Sequence, residues 1–154
     1  MTEDKIKITL DFLDSLGISG VQRYITAIIE FDALILNVDR HTQNIVFLRN
    51  EDGLDTGVIF DNGAAFLSDT SEYQLGSSIE GSIRRACAKP FSHSFDIQKK
   101  ILEEQFGYTF RTSYDKSMLR SSLDKCAGFY TDDILKRVED IVTLQLERYP
   151  ELRL

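Results

Sequence analysis

Between Val21 and Leu36 apolar side chains return every three or four positions, at Val21, Tyr24, Ile25, Ile28, Ile29, Phe31 and Ile35. That period lines them along one side of an α-helix. Gly17 and Gly20 precede the run, so a buried helix is predicted to begin near Ser19. It stops before the polar stretch Asn37-Val38-Asp39-Arg40-His41, which reads as a loop. Ile45-Val46-Phe47-Leu48 and Val58-Ile59-Phe60 are short β-branched and aromatic runs, separated by Asn50-Glu51-Asp52-Gly53 and Gly57. This pattern predicts a β-hairpin whose second strand runs into a further turn, Asp61-Asn62-Gly63. Helical periodicity resumes at about 96–106, ended by Gly107, then at about 115–126, and finally at about 132–148. The last stretch has Thr131 as its N-cap, Pro150 as its stop, and Ile134, Val138, Ile141, Val142 and Leu146 as a core-packing stripe. Near the beginning, Ile6, Ile8, Leu10 and Phe12 alternate with polar residues, which suits one short strand. The expected fold is therefore mainly α with a small β-hairpin (α+β). No repeat or Pro/Gly/Ser linker divides the chain, so residues 1–154 form a single domain.

Composition adds limits to that picture. The chain is 42% apolar and carries ten Phe and six Tyr, enough to build a core and too many for a disordered segment. Cys87 and Cys126 are too few for a disulfide scaffold and have no metal-ligand spacing around them, so reduced, buried thiols are expected. Net charge is −7, and all of it comes from residues 1–70, which hold 12 acidic and 5 basic residues. Non-specific nucleic-acid binding relies on Lys and Arg neutralising phosphates, so this balance argues against it and against an anionic membrane surface. The beginning lacks a basic, signal-type segment, and even the longest apolar runs, such as Ala33 to Leu36, are far too short to span a bilayer. A cytoplasmic protein is expected.

Chemistry concentrates around the predicted hairpin. Asp39 and Asn44 stand five residues apart on the loop, and Asp61 follows Asp39 by 22. A hairpin returns its ends to one place, so Asn44 and Asp61 should be neighbours. Two hard oxygen ligands with a separate carboxylate nearby suit magnesium-assisted phosphoryl transfer. The simpler alternative is that Asp39 and Asn44 form side-chain-to-backbone turns linking a helix to a strand. His41 taken alone reads as a structural hydrogen-bonder, and His93, between Ser92 and Ser94, as a solvated loop residue.

Asn37-Val38-Asp39-Arg40-His41-Thr42-Gln43-Asn44 resembles the catalytic loop N-x-D-R-H-x-x-N of HipA-like kinases, and Val58-Ile59-Phe60-Asp61-Asn62-Gly63 is similar to their metal-binding turn. Lys89-Pro90-Phe91-Ser92, with Phe95 and Gln98, resembles the segment beyond the activation loop in the CtkA-type branch. The resemblance covers roughly residues 20–105 and implies the C-lobe of a protein-kinase-like fold. It implies a Ser/Thr protein kinase that transfers phosphate from ATP with Mg2+. Asp39 matches the catalytic aspartate, and Asn44 and Asp61 match the metal and nucleotide ligands. Arg40 and His41 match flanking catalytic-loop positions that shape the loop or touch phosphate. Gly63 would let the backbone turn after the metal ligand.

The resemblance stops short of an N-lobe. Only 38 residues precede Asp39, without a phosphate-covering glycine-rich loop or a Val-Ala-Ile-Lys-like strand. The expectation is a C-lobe inactive by itself, which needs an N-lobe polypeptide or pairs with a second copy through its uncovered face. A different class of reading is a non-catalytic kinase remnant serving as an interaction module in a toxin–antitoxin-like system. A lipid or small-molecule kinase would share the D-R-H-x-x-N motif but call for a basic substrate surface.

Overall fold

The computed structural model describes residues 1–113 and 116–154, so the predicted helix start at Asp115 lies outside the described residues. The described residues form six α-helices and a two-stranded sheet, in the order α1 (Thr2–Ser15), α2 (Val21–Ile35), β1 (Phe47–Asn50), β2 (Gly53–Thr56), α3 (Ile79–Arg85), α4 (Phe95–Phe106), α5 (Lys116–Asp124) and α6 (Asp132–Arg148). The mainly helical α+β reading therefore holds. Among the described residues no helix is long and apolar enough to cross a membrane.

Helix α2 is the axis of the fold. Gly20 enters it with a left-handed backbone (φ 72°), a conformation that glycine adopts at no steric cost. One side carries Val21, Ile25 and Ile29 into a cluster with Ile6, Leu10 and Leu13 of α1, and with Phe91 and Leu102. The far end, Ala33 to Leu36, joins a second cluster with Ala65, Leu67, Phe95, Ile141, Leu146 and Leu152. Each fully buried aliphatic side chain contributes roughly 2 kcal/mol of transfer free energy. A helix that is apolar on most sides is stable only when it is surrounded, and α1, α4 and α6 do surround it.

The alternating segment near the beginning is a helix, not a strand. Ile6, Leu10 and Leu13 are buried at helical steps, whereas Ile8 and Phe12 lie 68% and 61% exposed on another face. Two helical stripes, one buried and one in water, interleave so that they imitate a two-residue period. The hairpin also sits differently from its prediction. β1 pairs antiparallel with β2 in the register Phe47–Thr56, Leu48–Asp55, Arg49–Leu54 and Asn50–Gly53. The two-residue turn at Glu51-Asp52 fixes this pairing, with Asp52 N–H donating to Asn50 Oδ1. The run Val58-Ile59-Phe60 is not a strand, because pairing ends at Thr56.

The helix at 95–106 is capped by Ser94 Oγ, which accepts from Ile97 N–H, and Gly107 closes it at φ 72°. Thr131 stands at the N-cap of α6, but its side chain makes no capping bond. Helix α3 had no counterpart in the sequence reading, being only seven residues long. Both cysteines are free, and Cys87 is exposed, contrary to the expected burial.

Candidate functional site

The loop after α2 is built on a buried ion pair. Asp32, in the last turn of α2, and Arg40 both have side chains with no exposure. Arg40 Nε and Nη2 each donate to the Asp32 carboxylate at 2.8 Å, a bidentate pairing. Burial pushes the Asp32 carboxyl up, while Arg40 and then Asn37 draw it back. The guanidinium extends beyond this pair. Nη1 donates to the Phe60 carbonyl at 2.5 Å, and Nη2 to Asn62 Oδ1 at 2.6 Å. One arginine thus clamps the end of α2, its own loop and the residues on both sides of Asp61.

Asn37 completes the loop. Its Nδ2 donates to Asp32 at 3.2 Å, and its Oδ1 accepts the Asp39 backbone N–H at 3.2 Å. A single 3₁₀ turn, Thr42–Asn44, then leads toward the hairpin, whose base is held by Gly57 N–H donating to the Val46 carbonyl at 3.0 Å. Tyr24 of α2 donates to the same carbonyl at 3.3 Å and meets Phe47 edge to face. The closed base brings Asn44 Nδ2 within 2.6 Å of Asp61 Oδ2. This is the contact that hairpin closure predicts.

Asp39 is half-exposed, with two donors on one of its oxygens. Lys89 Nζ lies 2.6 Å from Oδ1 and His41 Nε2 lies 2.8 Å from it. The Lys89 hydrogen bond is the main reason that the Asp39 carboxyl is held below its ordinary range. Lys89 is anchored from below, since its carbonyl accepts from the fully buried Gln98 of α4 at 3.1 Å.

The predicted residues fall into two groups. Asp39, His41, Asn44 and Asp61 have polar side chains at the surface of the loop and turn. Arg40 is fully buried and its guanidinium is occupied by protein partners, so it shapes the loop and does not reach a phosphate. The chain turns at Gly63-Ala64, closed by Ala65 N–H donating to the Asn62 carbonyl at 3.0 Å, but Gly63 does so without a left-handed backbone. Asp61 itself carries the left-handed backbone (φ 54°), as do Phe66 and Leu67 a few residues on and Leu36 at the end of α2. Left-handed backbone costs a non-glycine residue roughly 1–2 kcal/mol, and such residues cluster where surrounding structure imposes a geometry. Leu36 and Leu67, almost fully buried, are held there by the core. The sequence points to no site role for Asp32, nor for Asn37 and Lys89, although both of these stand in the motifs quoted above. Lys89 is 50 residues from Asp39, beyond any local pattern. The polar Asp32 within an apolar helix was the available signal for the buried clamp.

Asn44 Oδ1 and the Asp61 carboxylate are hard oxygen donors on adjacent backbones. Among the described residues no group of three His, Cys, Asp or Glu gathers as a metal cage. Magnesium needs only one or two protein carboxylates or amides when phosphates and water complete its octahedron, so these two side chains are the candidates to hold such an ion, with Asn44 Nδ2 rather than Oδ1 facing Asp61. His93 is an exposed loop residue, as the sequence indicated. No family model, curated protein or solved structure matches the chain.

Proposed function

We propose that the chain is the catalytic C-lobe of a HipA/CtkA-like Ser/Thr protein kinase. The observation that carries this reading is the Asn44–Asp61 contact at the hairpin base, joined to the Asp39 loop through Arg40. Asn44 and Asp61 hold Mg2+ with ATP. The ion, when bound, neutralises charge on the β- and γ-phosphates. Asp39 orients the acceptor hydroxyl of a protein substrate and accepts its proton. Because Oδ1 is held by Lys89 and His41, Oδ2 is the oxygen presented to that hydroxyl. Arg40 is a positioning residue that fixes the spacing between the loop carrying Asp39 and the turn carrying Asp61.

These residues supply the metal-side contacts and the base. The other half of nucleotide binding, a glycine-rich loop and a lysine on a strand, belongs to an N-lobe that the described residues do not include. Leu48, Val58 and Phe60 are exposed on the hairpin and just beyond it, 72% in the case of Val58, and offer an apolar rim to such a lobe or to a second copy. The same exposed rim also supports the second reading, a non-catalytic interaction module of a toxin–antitoxin-like system.

The experiment is phosphate transfer from γ-labelled MgATP to a protein acceptor, with and without a HipA-type N-lobe polypeptide. The expected result is no transfer by the chain alone, transfer with the N-lobe, and its loss in Asp39→Asn with the fold intact. Transfer that survives both Asp39→Asn and Asp61→Asn would contradict the assignment.

A further inference from the structure

Lys89 has so far served only to hold Asp39 Oδ1, and its placement is built rather than incidental. Gln98, fully buried, holds its carbonyl, and Ala88 N–H donates to the His93 carbonyl at 3.0 Å beside it. Its side chain then crosses to the loop and ends 2.6 Å from Asp39 Oδ1. The His41 ring nitrogen is 3.3 Å from the same ammonium. His41 Nε2 faces Asp39 at 2.8 Å, so as a donor to the carboxylate it has no lone pair for Lys89. An ammonium has three donors, and Asp39 takes one. The Lys89 side chain is 38% exposed, so a ligand bound at the surface of the loop can reach it.

The surroundings make that cation distinctive. The other cation of the loop, Arg40, is buried and spent on Asp32, Phe60 and Asn62. Phosphoryl transfer spreads negative charge over three equatorial oxygens, and donors already in place stabilise it without reorganisation.

We propose that Lys89 is a phosphate-contacting catalytic residue: its ammonium, held on Asp39 Oδ1, donates to the transferring phosphoryl group while fixing the carboxylate so that Oδ2 meets the acceptor hydroxyl. This rests on the phosphotransfer reading of the site. In the step, the acceptor hydroxyl oxygen forms a new bond to the γ-phosphorus. The bond from that phosphorus to the β–γ bridging oxygen breaks, and its electron pair leaves with ADP. The hydroxyl proton passes to Asp39 Oδ2, and Lys89 keeps all three of its protons throughout.

The test is an NMR titration of the whole 154-residue chain with MgATP into the tens of millimolar, following the Lys89 side-chain signal, the Asn44 side-chain amide and the Asp61 backbone amide. The expected result is that all three move together. Lys89→Ala and Lys89→Met should then weaken the MgATP response at Asn44 by about tenfold, the scale of one charge-assisted hydrogen bond. Lys89→Arg, which keeps the charge, should restore most of it. Comparing Ala with Met separates a lost charge from a lost aliphatic stem, and the amide spectrum of each variant reports its fold. Movement at Asn44 and Asp61 with Lys89 silent, and with unchanged titration of Lys89→Ala and Lys89→Met, would overturn the proposal and leave the phosphotransfer reading standing. Silence at Asn44 and Asp61 would remove that reading and the role of Lys89 with it.

Discussion

Asn44 Nδ2 donates to Asp61 Oδ2 at 2.6 Å across a separation of 17 residues, because a four-residue antiparallel ladder closes between them. The candidate site exists only while that ladder and the clamp beneath it hold, and each makes a separate prediction.

The clamp is the buried Asp32–Arg40 pair. Removing one member of a buried pair leaves an uncompensated charge, typically at about 3–5 kcal/mol. Arg40→Ala is expected to cost that much in urea unfolding, and Arg40→Lys to recover only part, since Lys lacks the fork that reaches Asp32, Phe60 and Asn62 together. A loss under about 1 kcal/mol in Arg40→Ala, small for a buried partner, would show that the clamp does not carry the loop.

The hairpin base depends on close approach at one glycine. A Cβ on Gly57 would lie 2.5 Å from Val46 Cγ2 and 2.8 Å from the Val46 carbonyl oxygen, whereas one on Gly63 meets nothing nearer than Asp61 Oδ1 at 4.0 Å. Gly57→Ala is therefore expected to destabilise by about 1–3 kcal/mol, the usual cost of overpacking, and to weaken the Asn44–Asp61 contact. Gly63→Ala should be close to neutral. Equal effects in thermal unfolding would contradict this geometry.

The acid side of the stability profile has a defined sign at Asp39. Lys89, through its hydrogen bond, is the main cause of the lowered carboxyl in the folded chain. A lowered folded-state value stabilises above the unfolded carboxylate range, and this contribution fades as pH falls through the folded value. Because Asp39 is half-exposed, the effect on stability is small. Carboxyl-carbon NMR should show Asp39 titrating below ordinary aspartates, with the inflection moving upward in Lys89→Ala. An unmoved inflection would mean that the 2.6 Å contact is not populated in solution.

In α1 the two interleaved stripes can be told apart by truncation. Ile6→Ala, at a position with no exposure, is expected to cost about 2–5 kcal/mol. Ile8→Ala, at 68% exposure, should change stability by no more than about 0.5 kcal/mol. Similar losses at both would place them on the same face, as a strand with a two-residue period requires.

What the sequence made legible follows the range of the forces involved. Helices α2 and α6 were readable because each satisfies its own three- and four-residue period and is covered by neighbours. Helix α1 was misread because Ile8 and Phe12 are exposed, so the pattern carried apolar residues that the core does not use. The second strand was placed at Val58-Ile59-Phe60 on apolar content, whereas pairing is decided by the two-residue turn and selects the mostly polar Gly53–Thr56. At the site, the nearness of Asn44 and Asp61 was legible from hairpin closure, with Asp39 as a separate carboxylate on the same loop. Arg40 was legible as a loop residue but not as a buried clamp, since its partners on α2 and beyond the hairpin are tertiary neighbours. Lys89 reaches Asp39 only through the packing of α4 against α2.

The most direct measurement is paramagnetic broadening by MnATP on the isotope-labelled 154-residue chain, compared between the wild type and Asp61→Asn. Mn2+ takes the same hard oxygen ligands as Mg2+ and reports even weak occupancy by its effect on nearby signals. A site made by Asn44 and Asp61 predicts selective broadening of the Asn44 side-chain amide and of the Asp61 and Asn62 amides, abolished in Asp61→Asn. Broadening centred elsewhere, or a pattern unchanged by Asp61→Asn, would contradict a metal–nucleotide site at the hairpin base.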